Sequence, residues 1–411
     1  MKITLIGTGP GNRNLLTTEA ENIIKKADVL IGAERMTALW GEGKKVYTLY
    51  KAEEIVSKLK DTGIGSSVAV ILSGDPGFFS SAKKLFKLLD SDEAFKGADI
   101  DVIPGISSMQ YFLENLHMSW ENTKFVSLHG RQANIIGYVK RYPKVFALTG
   151  NGSEIKEIAE RLHYYNMDNV KIIIGEKLSY PDENILLTDP VKLITEEREV
   201  DKLSVALFLN EDAEDESLHS LNDADLIRGE VPMTKGEVRT ISISKLKLSP
   251  DSVLYDIGAG TGSISIEASL KLLDGEVYAV EKKSDAVDLI QKNKRKFAAD
   301  NIRIINDTAP RGLEKLPSPT HVFIGGSSGN MKEIIDKSIE KNPDVRIVIN
   351  LISLDSLSEL LSLMNERNWR SDISLINISK LREVSGNKLM AANNPVYVIA
   401  IGPEDRKEID E

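Results

Sequence analysis

The residues best placed to do chemistry in this chain are glycines rather than nucleophiles. Gly258-Ala259-Gly260-Thr261-Gly262 follows an apolar, strand-like run, Val253–Ile257, and precedes a helix-forming one. Glycine lets the backbone turn tightly and approach a ligand closely. A helix start adds free N–H groups carrying about half a positive charge. Glu281 closes the next strand-like run, roughly twenty residues on, where a carboxylate can accept both hydroxyls of a ribose. The spacing is Gly-x-Gly-x-Gly, whereas a dinucleotide loop would want its third glycine at Ser263. An adenosine with a small amino-acid tail therefore suits the loop better than a pyrophosphate, and S-adenosylmethionine is such a molecule. The bland alternative is a tight strand–helix turn with no ligand.

The first half has three comparable turns. Gly7-Thr8-Gly9-Pro10-Gly11 follows the strand-like Lys2–Ile6 but is a poor phosphate cradle, because Pro10 lacks an N–H and no acid ends the following strand. Ser73–Phe79 (SGDPGFF) and Pro104–Ser108 (PGISS) follow two further strand-like runs. Each alone reads as a plain turn. Three at strand ends in one domain favour a site, because ligands of layered α/β folds bind beyond the carboxyl ends of the strands.

Composition removes other chemistries. The 411 residues contain no Cys, which excludes thiolate metal sites, disulfide scaffolds and Cys nucleophiles. The five His are scattered without ligand spacing, so no metal site is expected. Lys and Arg total 52 against 62 Asp and Glu, a net charge of −10, which argues against a nucleic-acid partner. Apolar runs such as Val68–Leu72 are far too short to span a membrane. The opening MKITLIGTGPG reads as strand and turn rather than signal peptide, and a cytoplasmic location is expected.

The elements that must hold these loops alternate between strand and helix. In the first half, strands are expected at Lys2–Ile6, Val29–Ile31, Val68–Leu72, Ile100–Ile103, Phe125–Leu128, Val145–Leu148, Val170–Ile174 and Ser204–Leu209. Thr18 and Glu21 read as a capping box that opens a helix through Ala27. The acidic, apolar-poor stretch from Asn210 to Asp225 reads as a solvated linker. The expected division is a domain at 1–210, a linker at 211–225 and a domain at 226–411. The second half repeats strand and helix up to Arg346–Asn350, then offers Ile373–Ser379 and Val396–Ile401 with no helix between them, an antiparallel pair. The fold class expected is α/β throughout, with a seven-stranded doubly wound, Rossmann-like sheet in the second domain. Asn394-Pro395-Val396-Tyr397 looks like the base-flipping loop of adenine methylases, but it opens the last strand rather than following the fourth, and it reads as structural.

GTGPG, SGDPGFF, PGISS, VSLHGR (Val126–Arg131) and EKLSYPDENI (Glu176–Ile185) together resemble the tetrapyrrole methylase family, in particular its branch acting on C-5 of a corrin precursor. MTKGEVR (Met233–Arg239), DIGAGTGSISIE (Asp256–Glu267), VFIGG (Val322–Gly326), NLISLDSL (Asn350–Leu357) and NNPVYVI (Asn393–Ile399) resemble the companion enzymes that methylate C-15 and decarboxylate an acetate arm. The resemblance implies a first domain of the two-part tetrapyrrole-methylase fold and a second of the S-adenosylmethionine methyltransferase fold, with one S-adenosylmethionine in each. It implies cofactor contacts at Pro10, Gly74, Asp75, Pro76, Ser107 and Ser108 in the first, and at Thr234, Gly258, Ala259, Gly260, Thr261, Gly262, Glu281 and Ala309 in the second. After Leu148-Thr149 the family has Asp where this chain has Gly150. The implied substrate is a tetrapyrrole rich in carboxylates, and the implied assembly a homo-oligomer.

Methyl transfer from a sulfonium needs alignment more than a protein nucleophile, and alignment can lower a barrier by roughly 7–11 kcal/mol. A chain of net charge −10 must hold an anionic macrocycle with a local basic cluster. Candidates to grip its carboxylates are Arg131, His129, Arg239 and Arg382, with Arg35, Lys83, Lys235, Lys380 and Lys388 behind them. Arg131 is the leading one, since a guanidinium near a strand end can take a carboxylate bidentately. An RNA or DNA methyltransferase with an accessory domain, an NAD(P)-dependent oxidoreductase and a non-catalytic adenosine sensor are the rival readings.

Overall fold

The computed structural model describes residues 1–62, 66–128, 133–384 and 386–406. They form two compact units, Met1–Arg131 with Lys144–Glu160 and Asp168–Leu209, and Gln132–Pro143 with Arg161–Met167 and Asn210–Glu411.

The first unit holds two five-stranded sheets. One comprises β1 (Lys2–Gly7), β2 (Val29–Gly32), β3 (Lys45–Thr48), β4 (Ser67–Leu72) and β5 (Asp99–Ile103). It is wholly parallel, ordered β3-β2-β4-β1-β5. Its strands read as apolar runs because both faces are covered: Ile3, Leu5, Val68 and Val70 pack on one side, Ile6, Leu30, Ala69 and Ile71 on the other. The second comprises β6 (Lys124–Ser127), β7 (Lys144–Leu148), β8 (Lys171–Glu176), β9 (Asn184–Thr188) and β10 (Ser204–Leu209), ordered β6-β7-β10-β8-β9. Only its β6–β7 pair is parallel. Phe112 and Phe146 anchor the core beneath it.

The second unit is built on a seven-stranded sheet of β11 (Val253–Ile257), β12 (Glu276–Val280), β13 (Ile302–Ile305), β14 (His321–Ile324), β15 (Arg346–Leu351), β16 (Asp372–Ile376) and, after a hairpin, β19 (Val396–Ile401). The order is β13-β12-β11-β14-β15-β19-β16, parallel up to β15, with β19 antiparallel to both of its neighbours. The strand order reverses between β11 and β14, and such a switch point leaves a crevice at the strand ends. The hairpin β17 (Ser379–Val384) and β18 (Asn387–Ala392) stands apart as its own two-stranded sheet.

Several local expectations shift. The first helix is Thr18–Lys26, and its cap is Thr17, whose hydroxyl accepts from the Ala20 N–H at 3.2 Å; the box read at Thr18 lies one residue late. The edge strands β3 and β9 and the β17–β18 hairpin were not expected. The acidic stretch before Leu226 is only partly solvated: it turns through a 3-10 helix at Glu216–Leu218, and Leu221 and Asp223 bond inward.

Candidate functional sites

In the first unit, three loops are laced together. Gly9 and Gly74 exchange backbone hydrogen bonds at 3.2 and 2.9 Å, joining the turn after β1 to the turn after β4. One Asp75 carboxylate oxygen accepts from the Gly77 N–H at 2.7 Å and the other from Gly105 at 3.1 Å, tying in the turn after β5. The packing is so close that a Cβ on Gly105 would lie 2.4 Å from the Gly74 carbonyl oxygen. Ser107 caps the helix Ser108–Asn115 in a reciprocal box with Gln110.

These loops border a cavity of about 450 Å³. Pro10, Gly74, Asp75, Ser107 and Ser108 line it, whereas Pro76 sits behind the wall, its Cδ 2.7 Å from where a Gly7 Cβ would be. Thr149 and Gly150, where the sequence departs from the family, also line it, as does Arg35, whose guanidinium donates to the Tyr180 hydroxyl at 3.0 Å and to Ser73 Oγ at 2.7 Å. His129 and Arg131 lie outside the described residues.

In the second unit, the loop after β11 runs through Gly258, Gly260 and Gly262 with φ of 70°, 58° and 78°. A Cβ at Gly258 would come within 2.7 Å of the Gly326 carbonyl oxygen, so the motif's first glycine is required by both conformation and space. Glu281 follows β12 and is almost buried. One of its carboxylate oxygens accepts from the Gly260 N–H at 2.9 Å, the other from Lys282 and Lys283 at 2.9 Å each. The acid is thereby aimed at the glycine loop before any ligand arrives.

A cavity of about 670 Å³ opens there, within the range of small-molecule sites. Thr234, Gly258, Ala259, Gly260, Glu281 and Ala309 all line it. Thr261 and Gly262 do not. Thr261 is buried with no hydrogen bond to its hydroxyl among the described residues, and Gly262 caps the helix Ser263–Lys271, so both shape the turn from behind. Lys235, Lys282 and Lys283 give the wall positive charge, and Asp307, Asn350, Asn393 and Asn394 supply polar groups that the sequence reading missed. Asn394 belongs to the segment that reads as structural, and it and Asn393 line the cavity just ahead of β19, which starts at Val396.

The two expected carboxylate anchors among the described residues lie outside the cavity lining. Arg239 is fully buried. Its guanidinium donates to Glu267 at 2.7 Å, to Asp223 at 3.0 Å, and to the carbonyls of Thr234 and Leu221 at 2.9 and 2.5 Å. Every part of the fork is engaged, so it holds the loop before the cavity and reaches no ligand. Arg382 is exposed on β17 and is not among the residues that line the cavity. Lys380 is paired with Glu237 at 2.7 Å.

Two titratable groups of the same sheet are strongly perturbed, Asp256 near its carboxyl end and His321 at its amino end. Asp256, at the end of β11, is pushed up to about 7, chiefly by burial and further by the Glu281 charge, against the pull of the Ser265 hydrogen bond. One of its oxygens accepts from Ser265 Oγ at 2.5 Å and the other has no partner among the described residues. His321, at the start of β14, is held down to about 4 by burial and by Arg346, and bonds Thr320 at 2.8 Å; it is a neutral structural group. No cluster of His, Cys, Asp or Glu that could hold a metal occurs among the described residues, and no described helix is long and apolar enough to cross a membrane.

Two glycine-walled cavities at the carboxyl ends of α/β sheets, one facing an acid after the second strand, have the architecture of an α/β methyltransferase. The comparisons are more specific. The family model described as tetrapyrrole (corrin/porphyrin) methylases matches residues 2–192, and the one described as precorrin methyltransferase domain matches residues 225–401. A probable cobalt-precorrin-6B C(15)-methyltransferase (decarboxylating) of Sulfurisphaera tokodaii is 36% identical over 188 residues, 44% of this chain and 96% of that one. A protein of the same kind from Salmonella typhi is 37% identical, over 45% of this chain and 97% of its own. A precorrin-6Y C(5,15)-methyltransferase [decarboxylating] from Sinorhizobium sp is 26% identical over 365 residues, 87% of this chain and 86% of that one. The chain belongs to the precorrin methyltransferase family of cobalamin biosynthesis, and it is a methyltransferase.

Proposed function

We propose that this chain is a bifunctional, S-adenosylmethionine-dependent C-methyltransferase acting on a corrin precursor. Residues 1–210 would methylate C-5, and residues 226–411 would methylate C-15 and remove the carboxyl of the ring C acetate. The substrate would be precorrin-6Y or its cobalt-precorrin-6B/7 counterpart. The observation that carries this reading is the pair of cavities, one in each unit, in a chain similar along 87% of its length to a relative named for both methylations.

The residues fit one adenosine cofactor in each cavity. Gly258 has no room for a Cβ and Gly260 takes a left-handed φ of 58°, so the backbone is bare where a ligand would lie, and Glu281 can accept from ribose hydroxyls while its three backbone donors keep it oriented. In the first unit Pro10, Gly74, Asp75, Ser107 and Ser108 would make the wall, with Pro76 behind it. When bound, S-adenosylmethionine supplies a methyl on a sulfonium whose leaving group is neutral. The protein then has only to bind, orient and exclude water, which suits cavities with no His or Cys among their described lining residues. Lys235, Lys282 and Lys283 concentrate positive charge where an anionic macrocycle must enter, against the net charge of −10. In decarboxylation the conjugated macrocycle can accept the electron pair left by the departing carbon dioxide.

A cytoplasmic homo-oligomer completes the proposal. The β17–β18 ribbon exposes Leu381, Leu389 and Met390, and a two-stranded ribbon standing alone is marginal in water, so a second copy would cover it. Sedimentation of the full chain tests this, a monomer at micromolar concentration counting against it.

The test of activity is incubation with a precorrin-6-level intermediate and S-adenosylmethionine, followed by mass spectrometry. Two added methyl groups and one lost carbon dioxide are expected. A single methylation, or none, defeats the bifunctional reading. Binding of NAD(P)H without S-adenosylmethionine would replace it with an oxidoreductase.

A further inference from the structure

Phe79 ends the turn after β4 in a conformation that a bulky side chain rarely adopts, φ +46°. Such strain persists only where the surroundings enforce it, and it gathers at ligand sites. The same turn is held in place by the hydrogen bonds that Asp75 accepts from Gly77 and Gly105. The ring gains little by burial, being 45% exposed. It is nonetheless fixed from behind. Phe78 meets it edge-on at 4.9 Å and is itself packed against Phe125 and Phe146 at 5.6 and 6.0 Å. Tyr50, 67% exposed, and the Arg35 guanidinium lie on the wall of the same cavity.

A strained, exposed aromatic on a rigid mount is costly to the free protein unless something covers it. A flat, conjugated, polycarboxylate molecule matches what is offered: a ring face to stack on and a cation for one of its arms. We propose that Phe79 is a positioning residue of the first unit, stacking on the tetrapyrrole macrocycle so that its reacting carbon faces the cofactor cavity, with Tyr50 and Arg35 completing that wall. The inference rests on the proposed function of the first unit and adds the residue that orients the substrate.

The test uses the full chain with Phe79→Gly and Phe79→Trp. Glycine relieves the left-handed backbone and removes an exposed ring, so Tm should stay or rise. KM for the precorrin-6-level intermediate in C-5 methylation should rise about 5- to 150-fold, the range that stacking a ring on an aromatic side chain is worth. The S-adenosylhomocysteine Kd of the first unit should not change, and Phe79→Trp should restore KM. Lower Tm with unchanged KM makes Phe79 a packing residue and overturns the proposal. Weaker S-adenosylhomocysteine binding assigns the ring to the cofactor and overturns it equally. If the wild-type chain methylates no tetrapyrrole at C-5 while binding S-adenosylhomocysteine, the functional reading of the unit falls, and the proposal with it.

Discussion

Replacing Arg239 by Met separates the structural role found here from the substrate-binding role its sequence position suggests. The change leaves the Glu267 and Asp223 carboxylates and two carbonyls without their donor, and Glu267 has a second buried oxygen already without a partner among the described residues. Breaking a buried pair from one side costs about 3–5 kcal/mol. In a unit of this size each kcal/mol lowers Tm by about 2–4 °C, so a fall of roughly 6–20 °C is expected. Pairing the change with Glu267→Leu removes the stranded carboxylate, and over half the loss should return, since apolar replacements of buried ion pairs are often near neutral. Calorimetric melting of the single and double variants at pH 7 gives the coupling. Assayed well below its transition, Arg239→Met should keep KM for the tetrapyrrole within about threefold. An unchanged Tm with a KM raised more than about tenfold would show that the guanidinium reaches substrate, and the reasoning from burial would be wrong.

Glu281→Gln puts an N–H group against one of the backbone donors of Gly260, Lys282 or Lys283, and S-adenosylhomocysteine binding in the second unit should weaken about 10- to 100-fold, as expected for a hydrogen bond to a charged group. Gly105→Ala puts a Cβ 2.4 Å from the Gly74 carbonyl oxygen, and calorimetry should lose the first-unit binding event while keeping the second. His321 is depressed to about 4, so the folded state holds fewer protons than the unfolded between about pH 4 and 6.5, and its contribution to stability rises with pH through that window. His321→Gln should flatten that rise in urea titrations. Asp256, raised to about 7, has the opposite sign: its contribution is present below about pH 4 and is lost as pH climbs toward 7, and Asp256→Asn should abolish that loss.

The parallel strands and the glycine loops were legible because each carries its signal locally, an apolar run followed by glycine. What the sequence hid depends on direction. Arg239 lies in a helix, Gly236–Leu246, that buries both polar and apolar residues, so no periodicity announces that its guanidinium points inward. The strands β3 and β9 are half-exposed edges whose mixed pattern resembles loop. The β17–β18 ribbon puts Leu381 and Met390 on one face and Leu389 on the other, and so lacks the alternation of a strand packed on a core. Asn393 and Asn394 line the cavity because the chain stays out of the sheet until β19 begins at Val396, a boundary that no local pattern marks. Thr17 and Thr18 are chemically equal candidates for the helix cap, and only the hydrogen bond to Ala20 chooses between them.

The account stands on two separate donor cavities in one chain, and titration calorimetry of the full chain with S-adenosylhomocysteine tests it most directly. Two molecules bound per chain are expected, with Gly105→Ala abolishing one event and Glu281→Gln weakening the other about 10- to 100-fold. A wild-type stoichiometry of one, or both events lost together in either variant, would contradict it.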